Sequence, residues 1–376
     1  MVCVKTQTRP SPLQHDFANY SFREGPDGPW ASFPINIGDS GTGLEGQTFH
    51  IFPALSLSIV TVPVTADFCS GKHATDKSCA ARTTFSAGAS PSWASRGQID
   101  VISALGLSRF VSGNTTAQNQ TYGTDNVGLG TASKESPILA TQNVAFITSK
   151  DFFLGLFGLS NKRLNWDIAP RLTFLSNLRE SNYTTSLSFS YTAGSKGRNS
   201  TPSLVFGGYD ASRFDPQSTL EVDISDSLHP FPIILTSISF SWSQKIRNDT
   251  SIGSSGDISI YIESATPFIW LPISACTIFE EVFGLQWDER AELYLVNSTA
   301  HEHMLKMNTT VSFVLSSSRS KTKNTKYTLP YTAFDLIITY PLVDTESYYF
   351  PLKRASTPDQ YILGRTFLQE THICGL

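Results

Sequence analysis

The sequence predicts a mainly β protein of two similar lobes, and three observations carry that prediction. At 376 residues the chain is too long for one ordinary core, and a pair of packed lobes fits it best. Its 40% apolar content comes with only 3 Met and with abundant Ser, Thr and Phe, the usage of half-buried strands more than of helical bundles. Alternating apolar positions recur in short runs: Phe33, Ile35, Ile37; Phe49, Ile51; Leu187, Phe189, Tyr191; Ile238, Phe240, Trp242; and Ile258, Ile260, Ile262. A period of two is the mark of a strand with one buried face.

Helical spacing occurs in few places. Phe174, Leu175 and Leu178 form one short apolar face, and Cys276, Phe279, Val282 and Phe283, just after Pro272, form another. Two stretches read as variable loops: the Gly/Ser/Ala-rich part from Ser86 to Gly97, and Ser316 to Lys326, whose Arg319, Lys321, Lys323 and Lys326 suit a solvated hairpin tip. The expected layout is an N-terminal tail over 1–27, a first lobe over 28–222, and a second over 223–376 that is truncated at its end.

A net charge of −4, with only 16% charged residues, leaves no basic surplus to neutralise a phosphate backbone, so nucleic acid is excluded as a partner. No stretch is long and apolar enough to span a bilayer, and the start Met1-Val-Cys-Val-Lys lacks the apolar core of a secretory signal. Against that, the acceptor pattern Asn-x-Ser/Thr begins at Asn19, Asn114, Asn119, Asn182, Asn199, Asn248, Asn297 and Asn308. Their number favours a secreted or cell-surface glycoprotein whose signal is not present in this sequence. Of five cysteines, Cys69 and Cys79 are spaced for a small loop-closing disulfide, while Cys3, Cys276 and Cys374 have no evident scheme. No Cys or His spacing resembles a metal site. His301-Glu-His303 lacks the gap that puts both imidazoles on one helical face, so it reads as exposed loop.

The order of motifs resembles that of the pepsin-like aspartic peptidases, particularly divergent fungal members, over nearly the whole chain. Ile35-Asn-Ile-Gly38 is similar to the first family strand. Gly41-Thr42 with Gln47-Thr-Phe-His-Ile-Phe52 resembles the strand that presents the first catalytic turn, and Val62-Pro63 followed by Cys69 resembles its exit. Tyr122-Gly-Thr-Asp-Asn-Val-Gly-Leu129 is similar to the return strand after the flap, and Phe153-Leu-Gly-Leu-Phe-Gly-Leu159 to the first apolar-Gly motif. Ser203-Leu-Val-Phe-Gly-Gly-Tyr-Asp210 is similar to the approach to the second lobe. Ile260-Tyr-Ile-Glu-Ser-Ala-Thr-Pro-Phe-Ile-Trp-Leu-Pro272 resembles the second catalytic strand and turn, and Tyr361-Ile-Leu-Gly-Arg-Thr-Phe-Leu368 the second apolar-Gly motif. The resemblance implies a bilobal pepsin-like acid-protease fold, two pseudo-symmetric β lobes with a cleft between them.

That family's chemistry needs two carboxyl groups sharing one proton across a water, each on an Asp-Thr/Ser-Gly turn. Counting on from Gln47–Phe52, the first catalytic position falls on Pro53, followed by Ala54 and Leu55, with no carboxylate, hydroxyl or glycine. The second falls on Glu263, supported by Ser264, Ala265 and Thr266, where a carboxyl survives on a side chain one methylene longer. Asp39-Ser-Gly-Thr42 spells a catalytic turn, but it precedes the Gln47–Phe52 strand and reads as a hairpin loop. No tyrosine stands between Leu105 and Gln120, where the family's flap would carry one over the substrate. After Phe367-Leu-Gln-Glu-Thr-His-Ile-Cys-Gly-Leu376 the family pattern would continue into a final hairpin, so an unpaired sheet edge is expected.

The resemblance therefore implies a catalytically inactive pseudopeptidase with a peptide-binding or structural role. It would be a monomer with no cofactor, holding an extended peptide or protein segment in its inter-lobe cleft. The alternative is an acid-active aspartic-type endopeptidase with an atypical site, in which Glu263 alone, or with Asp39 brought near by an unexpected loop, activates water. A third possibility is a decaying copy that does not fold stably.

Overall fold

The computed structural model describes residues 2–3, 24–41, 46–111, 119–131, 137–164, 171–195, 197–222, 231–242, 245–249, 256–317 and 324–375. It is mainly β, with the strands gathered in four sheets. In the first, seven strands lie side by side in the order Phe33–Ile37, Gln47–Ala54, Leu156–Gly158, Val60–Pro63, Ile138–Ile147, Asn119–Leu129 and Ala94–Asp100. Phe33–Ile37 also pairs with Asn119–Leu129, which curls the sheet on itself. A second sheet runs Asn324–Pro330, Thr310–Ser317, Pro232–Trp242, Ile258–Ile262, Ile362–Leu363, Ile269–Pro272 and Leu352–Ala355, with Lys245–Asp249 paired on Pro232–Trp242.

The two sheets repeat one local plan, and that plan positions the site. Gln47–Ala54 runs parallel to the short strand Leu156–Gly158, and the exit strand Val60–Pro63 returns antiparallel to it. Likewise Ile258–Ile262 runs parallel to Ile362–Leu363, and Ile269–Pro272 returns antiparallel. Both short strands end in a glycine that a side chain could not replace. A Cβ on Gly158 would lie 2.6 Å from the Leu57 carbonyl oxygen, and one on Gly364 2.2 Å from that of Phe268. Gln47–Ala54 is buried continuously from Ile51 to Ala54, whereas Ile258–Ile262 alternates, burying Ile258, Ile260 and Ile262 and exposing Ser259.

A five-stranded sheet gathers distant parts of the chain in the order Ser203–Phe206, Phe189–Thr192, Ile373–Gly375, Val2–Cys3 and Leu220–Glu221. Ile373–Gly375 is therefore paired on both sides, antiparallel to Phe189–Thr192 and parallel to Val2–Cys3. The unpaired edge expected at this strand is absent, because its neighbours come from the middle and the other end of the sequence. A fourth sheet aligns Trp287–Asp288, Leu293–Val296, Ser347–Phe350 and Leu336–Ile338. The expected lobe boundary adjoins residues 223–230, which lie outside those described.

Both expected helices form. Phe174–Glu180 is capped by the Thr173 hydroxyl and buries Phe174, Leu175 and Leu178. Ile273–Phe283 buries Cys276 and Phe279 and stops at Gly284, whose φ of 68° lies in the left-handed region. A third, Ser298–Met307, corrects the reading of His301-Glu-His303 as loop. Asn297 caps it by accepting from the Ala300 N–H, and Met304 is its one buried residue. The expected loop Ser86–Gly97 already enters a strand at Ala94. Thr310–Ser317 pairs antiparallel with Asn324–Pro330, which contains Lys326; Arg319, Lys321 and Lys323 lie outside the described residues.

Candidate functional site

The register of the two repeats fixes which residues are equivalent. Ala54 faces Gly158, and Val60 faces Phe157. In the other lobe Ile262 faces Leu363, which sets Glu263 beside Gly364, and Ile269 also faces Leu363. Six positions separate Ala54 from Val60, and six separate Glu263 from Ile269. The counterpart of Glu263 is thus Ala54, one residue beyond the expected Pro53. The strand runs straight through Pro53 before it turns, and counting forward from Gln47 stops one residue early. Pro53 has a different part: its carbonyl oxygen accepts the Ser264 hydroxyl at 2.6 Å, a buried bond from one turn to the other. By the same register Leu55 is the counterpart of Ser264, so the reciprocal bond has no hydroxyl to make it.

Glu263 is 3% exposed, and both its oxygens accept backbone N–H groups. Oε1 takes Leu55 at 3.0 Å and Ala265 at 2.9 Å, while Oε2 takes Ser56 at 3.1 Å. Two of the three donors belong to the other turn. The extra methylene that would misplace a catalytic carboxyl is what lets this side chain cross between lobes. Ala265 is 1% exposed, and Thr266 supplies a carbonyl to the Arg365 N–H at 2.9 Å. Ala54 and Leu55 are as deeply buried. The two turns meet in a closed, bonded contact.

Beneath that contact lies a residue that motif reading passed over. Arg365, 2% exposed, donates through Nη1 to the Ser264 and Ala265 carbonyls at 3.0 Å each, and through Nη2 to Asp27 Oδ2 at 2.9 Å. Its guanidinium lies 4.3 Å from the Phe52 ring centroid. Burial pushes the Asp27 carboxyl upward more strongly than the Arg365 charge draws it down. Asp27, assigned by sequence to a tail, is a buried anchor. The available signal was a charge inside the otherwise apolar run Tyr361–Leu368, which needs a partner to be buried.

Asp39 sits in the hairpin between Phe33–Ile37 and Gln47–Ala54, its Oδ1 accepting from the Gly41 N–H at 2.8 Å. It lies at the Gln47 end of that strand, whereas Glu263 binds the residues after its Ala54 end. Eight strand residues span roughly 23 Å. Asp39 is therefore no partner for Glu263. A second set, Ser32, His50 and Glu24, also fails as a catalytic triad. Both Ser32 Oγ, at 3.1 Å, and Glu24 Oε1, at 3.2 Å, contact the same ring nitrogen, Nδ1 of His50, and Ser32 is fully buried.

Cys69 and Cys79 form the expected disulfide. The loop it closes meets the second lobe, where the Tyr340 hydroxyl donates to the Phe68 carbonyl and the His73 and Tyr340 rings stack at 4.4 Å. Cys276 is packed under its helix with Sγ donating to the Leu271 and Lys353 carbonyls, and burial pushes its thiol up to about 12. Cys374 lies in the strand Ile373–Gly375 of the five-stranded sheet, and the two are not bonded. His301 Nε2 donates to Asp335 Oδ1 across 2.8 Å, and its ring stacks on Tyr348 at 3.8 Å. Among the described residues no group of three or more His, Cys, Asp or Glu is arranged for a metal ion. No helix among them is long and apolar enough to cross a membrane. Of the eight acceptor asparagines, Asn119, Asn182, Asn199, Asn297 and Asn308 are exposed, while Asn19 and Asn114 and the side chain of Asn248 lie outside the description.

Comparison with protein families matches residues 64–374 to the one described as eukaryotic aspartyl protease. The match begins after the first turn and includes Glu263 to Thr266. Comparison with curated proteins finds no match.

Proposed function

Since this chain belongs to the eukaryotic aspartyl protease family, we propose that it is a non-catalytic member in which Glu263, the surviving carboxyl, serves as a tie between the lobes. The observation that carries the reading is the engagement of both Glu263 oxygens by the N–H groups of Leu55, Ser56 and Ala265. Peptide hydrolysis in this family's manner requires a second carboxyl within a few ångströms, so that one group is held protonated while the other accepts the proton of water. Ala54 stands in that place, and Asp39 is too remote. A 3% exposed carboxylate that already accepts three backbone N–H groups is poorly placed to bind and activate a nucleophilic water.

The fold is kept for structure or for binding. The disulfide and the five exposed acceptor asparagines support a glycoprotein of the secretory route. The test is cleavage of a broad peptide library at acid pH by the wild type and by Glu263→Gln, with and without a transition-state-mimicking inhibitor. The reading expects no cleavage above a denatured control. Cleavage that the inhibitor blocks and Glu263→Gln abolishes would make Glu263 catalytic.

A further inference from the structure

The hairpin formed by Ala94–Asp100 and Asn119–Leu129 stands where the family carries its flap, and the structure shows what lies at its end. Pairing stops at Asp100 opposite Asn119. The Asp100 carboxylate then caps a short helix, Val101–Ala104, by accepting from the Ser103 N–H. A 3-10 turn follows at Ser108–Phe110. This segment is apolar and hidden: Val101 and Leu107 are 0% exposed, Phe110 3% and Leu105 4%. Its side chains share one core with Ala54 and Leu57 of the first turn and with Ala265, Phe268, Trp270 and Ile362 of the second lobe.

The segment also crosses the gap. The Phe110 and Trp270 rings lie 6.4 Å apart, and the Arg109 carbonyl accepts from Gln360 Nε2 at 2.9 Å. The Arg109 guanidinium feels the charges of Glu263 and Asp359. A loop that buries four apolar side chains in a core shared by both lobes fills space that an extended ligand between the lobes would need.

We infer that the inter-lobe cleft is an intramolecular docking groove whose occupant is the segment Val101–Phe110, so that a peptide enters only by displacing it. The inference rests on the family reading given above and adds what governs access to the same site. An occluded groove binds with its intrinsic affinity reduced by the fraction of molecules in the open state, so loosening the segment must raise the apparent affinity.

The experiment is titration of a fluorescent statine-containing peptide, which is not hydrolysed, into wild type, Phe110→Ala and Gln360→Ala, each shown by melting to be folded. Phe110→Ala removes the ring from the second lobe. Gln360→Ala cuts the bond to Arg109 from a partly exposed position and keeps the test alive if the first variant fails to fold. Apparent affinity should rise by about tenfold or more in a folded variant over the wild type. Equal affinity in all three, whether tight or undetectable, overturns the inference. Wild-type binding as tight as that of the folded variants sinks the occlusion and leaves Glu263 as a tie. Cleavage of the acid-pH peptide library by Phe110→Ala and not by the wild type sinks the tie and leaves the occlusion.

Discussion

Lys353 shows how far a single residue here departs from its solution chemistry. It is 2% exposed, its Nζ donates to the Glu292 carbonyl, and it lies 4.9 Å from the Phe268 ring centroid and 5.8 Å from that of Trp270. Burial lowers its amine from 10.5 to about 8. Between those values the unfolded chain holds the proton more tightly than the folded one. Its contribution to stability is therefore fully present above the unfolded value and is lost as pH falls through about 8. Urea unfolding between about pH 7 and about pH 9.5 should show the wild type gaining stability relative to Lys353→Met, whose side chain does not titrate. Parallel pH profiles for the two proteins would contradict this. Glu263 and Arg365 show the residue scale from the sequence side. The surviving carboxyl was legible, because the Ile260–Pro272 strand and turn are intact. Its three N–H partners were not, since two of them lie in a turn more than two hundred residues away.

At the scale of elements, period-two runs such as Ile258, Ile260, Ile262 fell on strands, and the two helices with buried apolar faces formed where their spacing placed them. The helix Ser298–Met307 was missed because it buries a single residue, Met304, and leaves no apolar stripe to read. Its signal was local instead, in Asn297 at the cap. Such a helix leans on its ends more than on its packing. Asn297→Ala should lower the unfolding free energy by about 1 kcal/mol in denaturant melts, and Asn297→Asp, which keeps the acceptor, should recover most of it. The one-residue error at Pro53 has the same character. A strand read forward gives no sign of where it turns, whereas the register with Leu156–Gly158 fixes the turn from outside the strand.

At the scale of the whole molecule, bonds between residues far apart in sequence join the two lobes. The Ser264 hydroxyl reaches Pro53, Glu263 reaches Leu55 and Ser56, Arg365 reaches Asp27, and the disulfide-closed loop reaches Tyr340. The bilobal plan was legible because a chain of this length with repeated apolar-Gly motifs has few other ways to bury its strands. These long-range bonds were not, because they join residues that no local pattern brings together. A catalytic carboxyl and a tying carboxyl make opposite demands on stability. A catalytic one is held at a cost and its removal leaves the fold unharmed, while a tying one is part of the fold.

The most direct measurement is denaturant unfolding of the wild type and Glu263→Gln at neutral pH. The amide offers one acceptor and turns two donors towards N–H groups that already donate, so the variant should lose roughly 3 kcal/mol. A variant as stable as the wild type, or more so, would contradict the account and return Glu263 to the role of a reacting group.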